Sequence, residues 1–382
     1  MRFDLLTTDG AARCGRLTTA HGTIDTPVFM PVGTQATVKG LTPEDLATAG
    51  ARIVLGNTYH LFLRPGHELV RALGGLHRFM GWPGAILTDS GGFQVWSLAK
   101  LRKISDDGVE FRAALDGATR FLSPELAIEI QRALGADIAM VLDECLAYPA
   151  TRETTERSLA RTLTWAERCR AAHARGADGQ ALFGIVQGGA DDDLRARAAA
   201  ATVALDFDGY AIGGMAVGEP KPRMYELTEL VARALPTERP RYLMGVGKPE
   251  DLVESVARGV DMFDCVLPTR NARNGQAFTS TGTVTIKQAQ WTRDPAPLDA
   301  GCACYTCRHF SRAYLRHLYV AEELLAYRLL TLHNVHFYLG LMAAMRDAIA
   351  ARAFGAFRAR FYARYAVSSV DVPRDDPQRS EA

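Results

Sequence analysis

Eight short apolar segments recur along the chain, and they constrain its fold more than any other feature. Most of them are nearly continuous in apolar residues, which is typical of parallel strands that are buried on both faces of a sheet. The segments are Pro27–Pro31, Arg52–Leu55, Ala85–Thr88, Ile138–Leu142, Leu182–Val186, Tyr210–Ile212, Arg241–Met244 and Met262–Leu267.

Helical patterns fall between most of these segments. In the first of them, Thr42 is suited to cap a helix and Pro43 to occupy its first position. The predicted helices are Thr42–Ala49, Ser123–Leu134, Thr151–Ala174, Asp191–Ala204, Pro222–Ala234 and Lys248–Arg258. Strands that alternate with helices in this way predict an α/β fold, a (β/α)8 TIM barrel.

Insertions and a C-terminal extension surround the predicted barrel. The predicted hairpins are Asp4–Thr19, Val109–Phe121 with an Asp-Gly turn, and Gln276–Lys287. We expect residues 1–298 to form the catalytic barrel, and residues 299–370 a zinc-binding helical subdomain that packs on it. The polar segment 371–382 contains two prolines, and we expect it to be a disordered tail.

Composition places the chain among ordinary globular proteins with an ample core. Of its 382 residues 48% are hydrophobic and 23% are charged, which excludes extensive disorder and fibrous architectures. The net charge of +1 predicts no nucleic-acid partner by itself, although residues 264–382 carry a net charge of +5. No apolar run reaches the roughly 18 residues of a membrane span, and the N-terminus lacks the apolar core of a signal peptide. We therefore expect a cytoplasmic protein without a membrane segment.

Polar residues follow several predicted strands at the point where each strand ends. Asp89, Asp143 and Gln187 directly follow three of the segments, and Asp264 lies within the eighth. In a (β/α)8 barrel the carboxyl ends of the strands form one face, and that face carries the chemistry. We therefore expect these side chains to meet. A helix cap or a salt bridge is the more common role for any one aspartate, but three at one face favour an active site.

The available chemistry is narrow. The chain has no Ser-His-Asp order, no G-x-S-x-G elbow and no phosphate-binding G-x-x-x-x-G-K-[ST] loop, so we expect no nucleotide cofactor. Two carboxylates that face one pocket are suited to a glycosidic bond, where one attacks the anomeric carbon and the other moves a proton. Asp143, Gln187 and exposed glycine amides could bind the edge of a flat heterocycle, while Phe93 and Met244 hold its faces.

Three of the seven cysteines form a cluster. Cys302, Cys304 and Cys307 are followed by His333, which together offer three thiolates and one imidazole. This set predicts one structural, tetrahedral Zn²⁺ site without an open position. His336 lies three residues further along the same helical face and is the competing fourth ligand.

The last predicted helical region, Leu341–Tyr365, combines an apolar stripe with a basic surface. The stripe, which we interpret as core packing, consists of Phe354, Phe357, Phe361 and Tyr365. The basic residues that lie mostly off the stripe, and fit either a solvated face or contact with RNA phosphates, are Arg352, Arg358, Arg360 and Arg364.

Several long motifs, in order, resemble the queuine and archaeosine tRNA-ribosyltransferases, and among them the bacterial tRNA-guanine transglycosylases. They are D-S-G-G-F-Q-V, D-E-C-x-x-Y-P, G-I-V-Q-G-G, I-G-G-M-A-V-G-E, L-M-G-V-G-K-P and M-F-D-C-V-L-P-T-R-N-A-R-N-G, followed by C-x-C-x-x-C and L-H-N. The resemblance runs from about residue 4 to residue 366. No further RNA-binding domain follows the cysteine cluster, which favours the bacterial type over the archaeosine type.

The resemblance implies exchange of guanine at the wobble position of tRNAs with G-U-N anticodons (Asp, Asn, His, Tyr) for 7-aminomethyl-7-deazaguanine (preQ1), on the way to queuosine. By motif matching, Asp264 is the nucleophile on the ribose and Asp89 the general acid/base. The implied purine site consists of Ser90, Gly91, Gly92, Phe93, Asp143, Gln187, Gly214 and Met244. The implied RNA contacts are Gly245, Val246, Gly247, Lys248, Pro249, Glu250, Asp251, Thr269, Arg270, Asn271, Ala272 and Arg273.

The resemblance also implies the zinc ligands Cys302, Cys304, Cys307 and His333, and a homodimer with contacts at Phe310, Tyr314 and His317. Val217 and Cys145 lie where the choice between preQ1 and queuine could be made. Two alternatives stay open at this point: a non-catalytic tRNA-binding subunit of the same fold, and a barrel glycoside hydrolase that acts on sugars. The first should have lost Asp89 or Asp264, and the second should show several aromatic platforms around its pocket.

Overall fold

The computed structural model describes residues 1–94, 102–113, 115–176 and 179–365. Its strands are β1 (Arg2–Asp9), β2 (Ala12–Thr19), β3 (Gly22–Thr26), β4 (Val28–Gly33), β5 (Ile53–Gly56), β6 (Ala85–Thr88), β7 (Arg102–Ser105), β8 (Gly108–Arg112), β9 (Thr119–Leu122), β10 (Ile138–Met140), β11 (Ala181–Val186), β12 (Gly209–Ile212), β13 (Arg241–Leu243), β14 (Met262–Cys265), β15 (Gln276–Thr279) and β16 (Gly282–Thr285). Eight of these strands form the centre of the fold.

A closed parallel barrel is built from β4, β5, β6 and β10 to β14. The last strand pairs with the first, since Met262 to Cys265 lie beside Val28 to Pro31. All eight predicted segments coincide with these strands, which confirms the predicted (β/α)8 class. The barrel strands are almost fully buried because helices cover their outer face, as the continuous apolar runs require.

Helices follow the barrel strands and then extend beyond the barrel. They are α1 (Pro43–Thr48), α2 (Thr58–Leu63), α3 (His67–Ala72), α4 (Gly75–Met80), α5 (Pro124–Leu134), α6 (Arg152–Ala174), α7 (Asp192–Ala204), α8 (Lys221–Ala234), α9 (Pro249–Ala257), α10 (Leu267–Arg273), α11 (Tyr305–His309), α12 (Arg312–Val320), α13 (Leu324–Ala350) and α14 (Phe354–Arg364). The predicted cap is present, because the Thr42 hydroxyl accepts from the amide of Asp45 and the Asp45 carboxylate accepts from the amide of Thr42. Each of the six predicted helices is confirmed to within a residue or two of its predicted ends.

Two of the predicted hairpins are larger than the sequence indicated. The first is a three-stranded sheet, because β3 pairs with β2, and the second also has three strands, β7 to β9. The extra strands were missed because each is short and carries few apolar residues: β3 buries Ile24 and Thr26, while β7 buries none of its residues fully. The third hairpin, β15 and β16, is confirmed.

The C-terminal helices connect the barrel to the cysteine cluster. One hydrophobic cluster joins the barrel to the second half of α13, and another surrounds Cys304 and Cys307 and includes the first turns of α13. The predicted single helical region is interrupted, since Arg352 adopts a φ of 53° between α13 and α14. Phe354 and Tyr365 are buried, which agrees with core packing for both ends of the aromatic stripe.

The division at residue 298 stays a prediction, and the predicted tail 371–382 lies outside the described residues. Among the helices that the structure describes, none combines the length and the apolarity needed to cross a membrane.

Candidate active site

Asp89 follows β6 at the carboxyl end of the barrel and is held by the residues that follow β5. Its Oδ2 accepts from Nδ2 of Asn57 at 2.5 Å, and its Oδ1 accepts from the amide of Thr58 at 2.9 Å. The Thr58 hydroxyl donates to the backbone carbonyl of Asp89 at 2.5 Å. Both donors to the carboxyl, the Asn57 side chain and the Thr58 amide, are neutral, and Asp89 is 8% exposed. The site therefore fixes the position of Asp89 without neutralising its charge.

Asp143 is linked to Ser90 and Gln187 at the same end of the barrel. Its Oδ1 accepts from the Ser90 hydroxyl at 3.1 Å, and its Oδ2 accepts from Nε2 of Gln187 at 2.7 Å. The Ser90 hydroxyl also accepts from the amide of Gly92 at 3.2 Å. The carboxylate and the amide side chain thus form a polar wall that can bind the edge of a heterocycle.

Glycines let the loops approach this wall closely. A Cβ on Gly92 would lie 2.6 Å from the carbonyl oxygen of Asp143, and one on Gly214 would lie 2.4 Å from Oε1 of Gln187. Gly214 also has a φ of +65°, which other residues rarely adopt. A side chain at either position would displace the polar groups of the wall.

Asp264 lies in β14 and is held by the neighbouring strand. Its Oδ1 accepts from the Tyr242 hydroxyl at 2.6 Å and from the amide of Gly245 at 2.8 Å. Within the described ranges no donor reaches Oδ2, so this oxygen is the one available to a substrate. Asp264 is half-buried, in contrast to the fully buried Phe263 before it.

Burial shifts the pKa values of all three carboxyls in the same direction. Burial raises the pKa of Asp89 to about 7, and the charges of Asp264 and Asp143 add to this rise. Burial also raises the pKa of Asp143 and of Asp264 above the ordinary range, although their hydrogen bonds oppose the change. The effect on Asp89 indicates that Asp143 and Asp264 lie near it at the carboxyl end of the barrel. A carboxyl with a pKa near 7 can both give and take a proton at neutral pH.

Phe93 and Met244 lie at the same end of the barrel. Phe93 is 47% exposed and follows Gly92, and Met244 is half-buried directly after β13. An exposed aromatic ring and a half-buried thioether are suited to contact the faces of a planar ligand.

Four residues that support the site were missing from the sequence predictions. Asn57 and Thr58 follow β5, so the strand-end rule that selected Asp89 could have selected them had it covered neutral side chains. Tyr242 gave a weak signal as a polar group inside the apolar segment Arg241–Met244. Arg195 gave none, because it lies within α7.

Arg195 is a fully buried guanidinium that ties together the loops after β11 and β12. It donates to the carbonyls of Val186, Gly189, Gly213 and Gly214 at 2.7 to 3.3 Å. Burial lowers its pKa to about 10, which leaves it charged at neutral pH. The Arg195 side chain therefore holds together the two loops that carry Gln187 and Gly214.

The predicted RNA contacts differ in their exposure. Gly245, Lys248, Arg270 and Arg273 are exposed and Asn271 is half-buried, whereas Val246, Gly247, Pro249, Glu250, Asp251, Thr269 and Ala272 are buried. Glu250 and Asp251 accept from Nζ of Lys221 at 2.8 and 3.0 Å. Burial and this ion pair engage the side chains of Glu250 and Asp251 within the protein, and their contact with RNA stays a prediction. The exposed members stay a prediction.

The predicted metal ligands converge in the C-terminal helices. Nδ1 of His333 lies 3.7, 3.5 and 3.3 Å from Sγ of Cys302, Cys304 and Cys307. In a tetrahedral site with roughly 2.3 Å between metal and sulfur and 2.0 Å between metal and nitrogen, the nitrogen–sulfur distances are of about this length. Nε2 of His333 lies 2.8 Å from the carbonyl oxygen of Phe278, which accepts its proton and leaves Nδ1 as the ligand atom. Of the two candidate histidines, His333 is the one grouped with all three thiols.

The structure is a closed parallel barrel that carries three carboxylates without cationic partners, the polar wall and a separate Cys3His cluster. This combination is suited to an enzyme that acts on a glycosidic bond. The chain belongs to the queuine tRNA-ribosyltransferase family, whose model matches residues 8–367, and it is a pentosyltransferase. This membership argues against the alternative of a sugar-specific glycoside hydrolase.

Two similar proteins support the assignment over nearly the whole chain. A protein of Solidesulfovibrio magneticus named queuine tRNA-ribosyltransferase is 60% identical over 363 residues, which cover 95% of this chain and 97% of the relative. A protein of Symbiobacterium thermophilum with the same name is 59% identical and covers 96% of this chain and 92% of the relative.

Proposed function

We propose that this protein exchanges guanine at the wobble position of tRNAs with G-U-N anticodons for preQ1, through a covalent intermediate between Asp264 and the ribose. The observation that carries the proposal is the presence of Asp89, Asp143 and Asp264 at the carboxyl end of one barrel, where the side chains that donate to them are neutral.

In the first displacement, an Asp264 oxygen forms a bond to C1′ of the ribose while the bond from C1′ to the guanine nitrogen breaks. The bonding electron pair leaves with the purine, and protonated Asp89 gives the purine a proton. The open Oδ2 of Asp264 supports the first role, and the raised pKa of Asp89, about 7, supports the second.

In the second displacement, the incoming base gives its proton to the Asp89 carboxylate and forms the new bond to C1′, which releases Asp264. Each displacement inverts C1′, so the configuration is retained overall. One N-glycosidic bond replaces another, and the exchange therefore needs no nucleotide cofactor.

The purine is bound by its edge and its faces. The Asp143 carboxylate can accept from the ring N–H and the amino group of guanine, while Gln187 and the Gly214 amide face its other polar atoms. Phe93 and Met244 are placed to contact the two faces. The base must leave its stack in the RNA, which costs a few kcal/mol and less in a single-stranded loop.

Three further roles belong to this proposal. Lys248, Arg270 and Arg273 are exposed cations near the pocket and would contact RNA phosphates. Cys302, Cys304, Cys307 and His333 would hold one structural Zn²⁺, which supplies a fixed cross-link between the helices when it is bound. A soluble tRNA substrate and unpaired thiols are both consistent with a cytoplasmic location.

A homodimer is the proposed assembly. Phe310 stacks on Tyr314 with ring centroids 5.4 Å apart, and Tyr314 is 40% exposed despite its apolar ring. His317 is exposed on the same helix, α12. Exposed stacked rings beside a rigid metal site are suited to a protein interface.

The experiment that tests the proposal is base exchange on unmodified tRNA(Tyr). We expect incorporation of labelled guanine and of preQ1, with queuine a weak competitor. Preferential incorporation of queuine would overturn the preQ1 assignment, and exchange into tRNAs without a G-U-N anticodon would overturn the anticodon assignment. Val217 and Cys145 lie near the pocket and are the positions to vary if queuine competes.

A further inference from the structure

A second cluster of metal-ligating side chains lies at the amino end of the barrel, opposite the active site. His21 lies in the two-residue turn between β2 and β3, His77 lies in α4, and Asp137 directly precedes β10. Nδ1 of His21 is 2.8 Å from Oδ1 of Asp137, and Nε2 of His77 is 3.1 Å from Oδ2. One ligand atom from each residue lies within 4.8 Å of those from the other two.

The cluster offers a buried anion and an open side. The Asp137 side chain is 3% exposed, whereas that of His21 is 38% exposed. His21 and Asp137 line a surface groove together with three arginines, Arg71, Arg132 and Arg175, and two acidic residues, Glu125 and Glu129. The formal charges of the groove balance only when the Asp137 carboxylate is included, and that carboxylate is the anion a cation would meet.

The two imidazole rings stack with centroids 3.5 Å apart and an interplanar angle of 15°. Imidazole nitrogens are common ligands of divalent transition-metal ions, and each ring offers two of them.

We propose that His21, His77 and Asp137 form a second metal site, which binds a divalent transition-metal ion such as Zn²⁺ through two imidazole nitrogens and one carboxylate. For an ion that lies roughly 2.0–2.2 Å from each ligand atom, the two observed nitrogen–oxygen distances correspond to nitrogen–metal–oxygen angles of about a right angle. The exposed turn that carries His21 lets its ring rotate out of the stack toward the ion, and solvent in the groove completes the coordination.

This site differs in chemistry from the Cys3His cluster. It has no thiolate and keeps a position open to solvent, so it binds Zn²⁺ less tightly and exchanges it faster. A bound ion connects the N-terminal sheet, α4 and the start of β10. The bound ion would thus stabilise the amino end of the barrel, which does not take part in the reaction.

The test uses full-length untagged protein. The protein is equilibrated with excess Zn²⁺, desalted rapidly, and analysed for zinc per chain by mass spectrometry. We expect two equivalents in the wild type and one in His21→Gln and in His77→Gln. The control variant His67→Gln, which changes a histidine of α3 outside both clusters, should keep two. Base exchange should stay unchanged in all three variants, because none of these residues lies at the active site.

Cobalt substitution supplies an independent readout. With Co²⁺ in both sites, the wild type should show thiolate-to-cobalt charge transfer from the Cys3His site and additional d–d absorption without sulfur character. His21→Gln, a change in an exposed turn, should lose only the second signal. One zinc per chain in the wild type under excess Zn²⁺, or two zinc ions retained in the His21→Gln and His77→Gln double variant, would overturn the proposal.

Discussion

The two ends of the barrel both bury carboxylates, but they surround them with different partners. At the carboxyl end, Asp89 and Asp264 accept from an amide side chain, a phenol and backbone N–H groups. At the amino end, Asp261 lies 3.2 Å from the buried guanidinium of Arg13, and Asp137 lies between two histidines. Burial costs free energy at both ends; Asp137 and Asp261 offset it with a cation or with imidazole rings, whereas the donors to Asp89 and Asp264 are neutral.

The difference shows in the pKa values. Burial raises the pKa of Asp89 to about 7 and that of Asp261, despite Arg13, to about 6. Burial also raises the pKa of Asp137, but the bonds to His77 and His21 outweigh it and hold that pKa below the ordinary value. Of these carboxyls, Asp89 has the highest pKa, and we interpret the carboxyl end as the reactive end and the amino end as a structural one. Four predictions test this contrast, starting with the largest effect.

Asp264→Asn should abolish exchange, with a loss of roughly 10⁴-fold or more in kcat, because the amide cannot form the ester bond to the ribose. The measurement is incorporation of labelled guanine into tRNA. Thermal unfolding should change little, since Asn keeps an acceptor for Tyr242 and Gly245. Turnover at the wild-type rate would contradict the assigned nucleophile.

Asp261→Asn should lower stability and leave turnover nearly unchanged, which is the reverse of the result expected for Asp264→Asn. It leaves the Arg13 guanidinium buried without its counter-charge, which should lower the free energy of unfolding by about 3–5 kcal/mol. Urea denaturation measures this loss, and the kcat of the remaining folded protein should stay within about twofold of the wild type. A stable but inactive variant would show that the two ends are not separate in function.

Asp89→Asn should change the pH dependence of stability. The pKa of Asp89 is raised in the folded state, so wild-type stability falls as pH rises from about 4 to about 7, while the variant lacks this loss. The unfolding free energy of the variant relative to the wild type should therefore increase by on the order of 3 kcal/mol across this range. Denaturation at several pH values gives this difference. Asp116→Asn, which changes an exposed carboxyl, is the control and should give a nearly flat line.

Arg195→Lys should give the smallest effect. An ammonium group cannot donate to four carbonyls on two loops, so Gln187 and Gly214 should lose their fixed positions. We expect KM for preQ1 to rise about tenfold, which corresponds to about 1.4 kcal/mol, with a smaller change in kcat. An unchanged KM would show that the loops hold their form without the guanidinium.

Much of this fold could be predicted because its signals are local. Continuous apolar runs indicated the barrel strands, and the strand-end rule selected Asp89, Asp143 and Gln187. The spacing of Cys302, Cys304 and Cys307 indicated a metal cluster, and the structure decided between His333 and His336. These features depend on neighbours in sequence, so they are visible before the chain folds.

The features that escaped prediction depend on distant segments. Arg195 acts on carbonyls from two different loops, and His21 meets Asp137 across 116 residues without a spacing motif. The short strand β3 is fixed by pairing with β2 rather than by its own composition. Such contacts arise only when the closed barrel brings its loops together.

The central claim is that Asp264 becomes covalently bound to the ribose, and direct detection of that bond tests it best. Wild-type protein is incubated with tRNA, denatured, and digested, and the adduct is located by mass spectrometry. The account predicts a ribose ester on Asp264 that accumulates without a base, disappears when preQ1 is added, and is absent in Asp264→Asn. An adduct on Asp89, or undiminished adduct in Asp264→Asn, would contradict it.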